Sequence, residues 1–382
     1  MFLAKLFKNG LLLAVSLLVS LLIAEAVCRV FFDPIDLLMP ELERDEWLQL
    51  RIPANSGGHD EWGFRNSGVP KAAKIVAIGD SNTYGIAANH KNSWPSQLAK
   101  QTGDEVYNMS LGSYGPLQYL RLLETKALDL NPEVILIGLY FGNDFYDAFR
   151  LANFVENWSA YSGTEVRERK AKQTLMDDEL AGKKFAFARY WLARNSVLYR
   201  LLTTKLKPML SKSAAAAHGP HKLTTYQPAG SATPMTFQAE RWVTSYKTER
   251  ADLDEGLAIT LQVIENIKAF CDENQLKLVF LTIPTKELVY SDLVIAENPQ
   301  LDKDQFTYIA AAENNYRQQI FASLNEHKIE YVDLLPSLVA GVSLTRSQST
   351  RLTTAIRMRL ATRLLPTRLR KNCRHCNTNL FP

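Results

Sequence analysis

The sequence predicts an α/β fold: a three-layer sandwich with helices on both faces of a central parallel sheet, plus one N-terminal transmembrane helix. Three observations predict it. Between residues 71 and 345, short apolar runs alternate with stretches of helical periodicity, the order that builds a covered parallel sheet. One run, Glu133–Phe141 (EVILIGLYF), is almost continuously apolar, the mark of a strand buried on both faces. Near the start, Lys5 and Lys8 precede an uninterrupted apolar stretch from Leu11 to Ala24.

The N-terminal 32 residues read as a signal anchor. Ala24-Glu25-Ala26 would suit signal peptidase, but apolar residues resume at once in Ala26-Val27-Cys28 and Val30-Phe31-Phe32, so an uncleaved anchor is favoured over a cleaved signal. A lipoprotein signal at Cys28 fits poorly, because Glu25-Ala26-Val27 lacks the small, apolar pattern before the cysteine. With Lys5 and Lys8 held inside, the single-pass chain carries its bulk to the extracytoplasmic, periplasmic side.

Residues 33–70 are polar and punctuated by Pro and Gly, and read as a linker. The domain then begins in two halves, 71–145 and 251–345. In the first, Ile75–Ile78 is a strand, Trp94–Gln101 a helix, EVYNMSL a strand, and PLQYLRLLETKALDL a helix by the spacing of Leu117, Leu120 and Leu123. In the second, Leu257, Leu261, Ile264 and Cys271 mark a helix, KLVFLTIP a strand, Gln305–Glu326 a helix and IEYVDL a strand. Residues 146–250 form an insert or cap that includes YWLARNSVLYRLL and a run of small residues read as a mobile loop. Residues 346–382 form an atypical basic tail. No Asp or Glu follows Asp333, while nine Lys and Arg do, leaving 35 basic against 40 acidic side chains and a net −5 in the first 333 residues. The four cysteines, Cys28, Cys271, Cys373 and Cys376, make no disulfide framework in 382 residues, and Cys271 reads as a buried thiol.

In a parallel sheet, ligands bind beyond the C-terminal strand ends. Three such ends carry short polar blocks: Gly79-Asp80-Ser81-Asn82-Thr83-Tyr84-Gly85, Asn108-Met109-Ser110-Leu111-Gly112 and Gly142-Asn143-Asp144. A Ser on a tight turn after a strand exposes its hydroxyl, and Gly79 lets the chain turn sharply. Ester hydrolysis puts negative charge on a carbonyl oxygen, which needs preorganised donors. The backbone N–H groups of Ser81 and Gly112 and the side-chain amide of Asn143 would supply three.

Taken singly, these blocks are ordinary turns. Together, in this order and each after a strand, they resemble the SGNH (GDSL-type) hydrolase superfamily over about residues 72–145 and, more loosely, 255–340. IPTKELVY, Ile283–Tyr290, is similar to a segment of membrane-anchored bacterial members. The family's Gly two before the Asn is Phe141 here. The resemblance implies a flavodoxin-like SGNH fold, Ser81 as nucleophile, and Ser81, Gly112 and Asn143 around the oxyanion. It implies no cofactor and no metal. Asp80 is expected to bond loop amides, Asp144 to organise its loop and Asp333 to cap.

The resemblance also calls for an Asp-x-x-His near the end, to activate the serine. None of His59, His90, His218, His221, His327 and His375 has an acid three residues before it. One frame over, however, the codons from Thr350 to Ala361 permit Pro-Pro-Asp-Asp-Gly-His-Pro-Asn-Ala-x-Gly, which reads as a frameshifted version of that block. The competing readings are a basic tail for anionic lipid or nucleic acid, and a Cys-x-x-Cys metal pair, weak without a second pair.

The function expected is therefore an SGNH-type esterase acting on O-acyl groups of envelope carbohydrates or small esters, held to the membrane by its N-terminal helix, with no nucleic-acid partner. The alternatives are an O-acyltransferase for exopolysaccharide and a non-catalytic envelope glycan-binding protein.

Overall fold

The computed structural model describes residues 2–163, 186–206, 223–226, 235–297 and 303–344. The chain divides into two compact units. One comprises residues 1–43, 51–68 and 180–218, and the other residues 44–50, 69–179 and 219–382.

The second unit holds the sheet. Its five strands are β1 (Ile75–Gly79), β2 (Val106–Ser110), β3 (Val134–Tyr140), β4 (Lys277–Ile283) and β5 (Glu330–Asp333). They are all parallel, in the order β2-β1-β3-β4-β5. Applied to that order, the right-handed crossover rule puts the helix after β1 on one face and those after β2, β3 and β4 on the other, which makes three layers. β1 and β3 are buried along their length save for Tyr140, as their unbroken apolar sequences require.

Trp94–Thr102 links β1 to β2, and Pro116–Thr125 links β2 to β3. Asp144–Phe154 and Arg250–Glu273 lie between β3 and β4, and these two pack on each other and on Pro116–Thr125. Lys286–Glu297 and Lys303–Glu326 lie between β4 and β5, and Leu335–Leu344 follows β5. Every strand expected from the sequence in this unit is present, with ends shifted by a residue or two. The helices Lys286–Glu297 and Leu335–Leu344 are additional, their apolar faces too short to stand out as periodic segments. Cys271 is fully buried, and burial pushes its thiol up to about 12, which makes it an inert core group.

The first unit contains one long apolar helix, Phe2–Phe31, of which Phe7–Phe31, 25 residues, is apolar enough to cross a membrane. At 1.5 Å per residue that stretch spans about 37 Å, more than the roughly 30 Å of a hydrocarbon core. In the same unit, Arg65 is buried and paired with Asp36 at 3.0 Å, and Asp60 accepts from the backbone of Trp62 and Phe64. Cys28 is a buried free thiol.

Candidate active site

β1 ends at Gly79, and the chain turns directly into the one-turn helix Ser81–Tyr84. Asp80 makes that turn. Its Oδ1 accepts from the Asn82 N–H at 2.8 Å, capping the helix, and its Oδ2 accepts from Ser81 Oγ at 3.0 Å and Asn82 Nδ2 at 3.1 Å. Gly85, left-handed at φ 77°, closes the turn by donating to the Ser81 carbonyl. Asp80 is buried, and burial raises its carboxyl to about 6.

Space for this turn comes from two glycines that pair across the sheet, Gly79 on β1 and Gly138 on β3. A Cβ on either would overlap Thr83 Oγ1, which is buried between the two strands. From β2, Asn108 Nδ2 donates to the Thr83 carbonyl at 2.9 Å, and Ser110 Oγ donates to Asn108 Oδ1. The first two blocks thus hold each other by hydrogen bonds within the core.

The strand register brings Ser81 and Gly112 together. Gly79 pairs with Ser110, so each of the two residues lies two positions beyond a paired position. A Cβ built on Gly112 would sit 3.7 Å from Ser81 Cβ. Asn143 lies just past β3, at the N-terminal end of the helix Asp144–Phe154, and its Nδ2 donates to Asp147 Oδ2. Asp147 is held in turn by Arg150, whose Nη2 bonds Asp147 Oδ1 at 2.9 Å and the Ser113 carbonyl at 3.1 Å. Arg150 therefore ties the loop after β2 to the helix after β3. Asp144 organises its loop: Oδ2 accepts from Tyr140 N at 2.9 Å and Tyr119 OH at 3.0 Å. Burial pushes the Asp144 carboxyl well up, and also raises Asp147, while the negative charges of Asp80 and Asp147 add to the shift at Asp144.

Phe141 is buried, with the Arg317 guanidinium 5.3 Å over its ring. Arg317 also donates to Asp333 Oδ1 at 2.7 Å, and the same oxygen accepts from Leu335 N at 3.0 Å, so Asp333 caps the helix after β5. Beyond β4, Glu313 is fully buried and accepts from Thr285 N at 3.0 Å and from Thr285 Oγ1, fixing the Pro284-Thr285-Lys286 turn. Burial raises its carboxyl to about 7. A cavity of about 200 Å³ opens here, lined by Asn82, Tyr140, Ile283, Lys286, Tyr290 and Leu338 among others.

The described histidines divide clearly. His327 immediately follows Lys303–Glu326 and precedes β5, at the edge of the sheet opposite Ser81. Its Nδ1 lies 2.9 Å from the Ser323 carbonyl and its Nε2 lies 3.7 Å from Glu265. His59 is buried in the first unit, where burial lowers it to about 4. His90 opens the short 3₁₀ turn His90–Asn92 on the Ser81 side of the sheet, with Nε2 3.5 Å from Ser96 Oγ. His218, His221, His375, Cys373, Cys376 and the whole frameshift-compatible stretch lie outside the described residues. Among the described residues no group of three or more His, Cys, Asp or Glu is arranged to hold a metal.

No protein-family model matches the sequence, and no curated protein matches it. Solved structures resemble it at low identity, among them these three. A candidate lipolytic protein of the G-D-S-L family from Desulfitobacterium hafniense DCB-2 is 14% identical, with a TM-score of 0.36, over 77% of this chain and 99% of that one. A candidate acylhydrolase from Bacteroides fragilis NCTC 9343 is 14% identical, with a TM-score of 0.29, over 74% and 76%. A GDSL-like lipase from Bacteroides thetaiotaomicron VPI-5482 is 11% identical, with a TM-score of 0.29, over 70% and 74%.

Several contributors were not singled out in the sequence. Gly138, Arg150 and Glu313 escape motif reading because they meet partners from other segments, and Asp147 because it lies outside the three blocks although its partners, Asn143 and Arg150, are local. One signal was available for Glu313: with Arg317, it lies on the apolar stripe of Phe306, Ile309 and Ile320, where a charged residue needs a buried partner.

Proposed function

We propose that this chain is an SGNH-type serine hydrolase acting on ester bonds, with Ser81 as nucleophile. The backbone N–H groups of Ser81 and Gly112 and the Asn143 amide stabilise the oxyanion. The observation that carries the reading is the approach of Ser81 and Gly112 at adjacent strand ends, 3.7 Å between the Ser81 Cβ and a Cβ built on Gly112, with Asn143 at the end of the next strand. These three donors need no ionisation and little reorganisation, as stabilisation of a developing oxyanion requires. Asp80 orients the Ser81 hydroxyl and Asp147 orients the Asn143 amide. The cavity beside Asn82 is smaller than the roughly 300–1,000 Å³ of drug-sized ligand sites and suits a short acyl group. With the N-terminal helix as anchor, O-acyl groups of envelope carbohydrates are the substrate class, released to water or passed to a sugar hydroxyl.

A non-catalytic glycan-binding role is the second reading, favoured by one observation: the chain as written has no Asp-x-x-His anywhere. A fluorophosphonate probe separates the two when applied to a chain whose alternative frame from Thr350 to Ala361 has been restored. Labelling that disappears in Ser81→Ala is expected for the enzyme. No labelling, or equal labelling of Ser81→Ala, sinks it. For the anchor, an alkaline phosphatase fused to the C-terminus is expected to be active, and an active cytoplasmic reporter instead would reverse the topology.

A further inference from the structure

The candidate span Phe7–Phe31 contains one acidic side chain, Glu25. A carboxylate in such a stretch is costly unless it is partnered, and here its partners are Arg29 on the same helix and residues 196–198. Glu25 Oε2 accepts from Ser196 Oγ at 2.8 Å and Leu198 N at 3.0 Å, and Oε1 accepts from Val197 N at 2.9 Å and Arg29 Nε at 2.7 Å. Arg29 Nη2 donates to the Asn195 carbonyl at 2.6 Å. Cys28, Leu37 and Val197 form a buried cluster, with Leu198 and Leu201 packed against it. The corner between the helices Ala186–Asn195 and Val197–Leu201 is therefore fastened to the last two turns of the anchor helix. Glu25 is six residues, about 9 Å, before Phe31, so the corner is held near the level where a spanning helix leaves the hydrocarbon.

What this corner carries is apolar and basic. Phe187 and Trp191 are four apart on one helix, hence on one face, and are 85% and 57% exposed. Beyond the first helix, Phe187 is the most exposed large hydrophobic among the described residues, and Leu202 in the same segment is 44% exposed. Residues 186–206 contain Arg189, Arg194, Arg200 and Lys205 and no acid. Arg194 pairs with Glu41 and Arg200 is buried, donating to the Pro34 carbonyl, while Arg189 and Lys205 are exposed.

We infer that residues 186–206 form an interfacial foot whose Phe187–Trp191 face lies in the headgroup boundary of the leaflet from which the anchor emerges. The occupant of that face is the bilayer. Trp and Phe favour this boundary because their rings are apolar while the indole N–H stays wet, and the exposed basic residues meet anionic headgroups. The inference rests on the anchor reading proposed above and is independent of the chemistry at Ser81.

The test uses the full chain reconstituted into phosphatidylethanolamine–phosphatidylglycerol vesicles containing brominated acyl chains. Quenching of Trp emission is expected to be stronger with bromines near the headgroup than near the chain ends. Trp191→Phe, which keeps an aromatic ring in place, is expected to remove most of that quenching. Extraction with alkaline carbonate reads the anchor separately. Release from the vesicles sinks the anchor and the foot with it. Retention with quenching unchanged in Trp191→Phe sinks the foot alone. So does a Trp191 shielded from aqueous acrylamide but not quenched by lipid, which would assign that face to a protein partner.

Discussion

The two ends of the sheet's site edge are built differently. At the β1, β2 and β3 ends, Ser81, Gly112 and Asn143 each follow within three residues of the last strand residue; Asp80 holds the Ser81 hydroxyl, Asp147 holds the Asn143 amide, and the Asn108–Thr83 bond ties the first two blocks. At the β5 end, Asp333 is committed to Arg317 and to the Leu335 N–H, and the described chain runs on through one helix without a histidine. On the proposed reading, the difference teaches that oxyanion donors are local products of strand ends, whereas a base would be delivered across the site by a segment that follows the last strand. One half of the proposed machinery stands in place among the described residues, and the other depends on the tail.

The largest expected effect breaks this asymmetry directly. Restoring the alternative frame from Thr350 to Ala361 is expected to raise p-nitrophenyl acetate hydrolysis about 10²–10⁴-fold, the usual contribution of a general base. Changing the restored His to Ala is expected to remove the gain. If the unrestored chain already turns over in a Ser81-dependent way, the frameshift reading fails. His90 then becomes the first histidine to test, since His327 sits at the opposite edge.

Next comes the built half. In the restored chain, Asn143→Ala is expected to lower kcat roughly 10²–10³-fold with KM little changed, as for loss of one oxyanion donor. Asp147→Asn is expected to lower it less, because Asp147 only orients the amide. An unchanged kcat in Asn143→Ala would remove that residue from the site.

The third effect concerns stability and pH near β4. Glu313 holds its proton more tightly in the folded protein, at about 7 against an ordinary 4.5. Its stabilising contribution is therefore complete below about pH 4.5 and is lost as pH rises through 7, the direction required where the folded state binds more protons. That loss is about 3 kcal/mol, and Asp80, raised to about 6, acts in the same direction. Thermal unfolding of the detergent-solubilised chain between pH 5 and 8 reads the slope. Glu313→Gln is expected to flatten it, and a slope unchanged by the substitution would count against this placement of Glu313.

The smallest effect sharpens the distinction between the glycines. Gly138→Ala has no room beside Thr83 Oγ1 and is expected to cost roughly 1–3 kcal/mol of stability, read as a lower Tm. At Gly112 a methyl group would meet Ser81 Cβ at an ordinary 3.7 Å, so Gly112→Ala is expected to leave Tm unchanged while slowing turnover in the restored chain. Equal losses of Tm would show that the two glycines do the same job.

Sequence alone determined the alternation of strands and helices, the three polar blocks and the apolar N-terminal helix, because each is written in consecutive residues. β1 and β3 read as buried strands because both faces are covered, and Ser81 stood out because a turn follows such a strand at once. Asp80, Asp144 and Asp333 were legible as organisers for the same local reason, each bonding a backbone N–H no more than four residues away.

Only tertiary structure decided the rest. The pairing of Gly79 with Gly138 that makes space for Thr83, the Arg150 bond from the helix after β3 to the Ser113 carbonyl, and the Glu313 clamp on Thr285 join residues 28 to 59 positions apart. The attachment of Glu25 to Ser196 spans 171 positions. Such contacts depend on strand order, register and helix packing. Neither periodicity nor motif encodes which distant polar group will meet a buried partner when the chain closes.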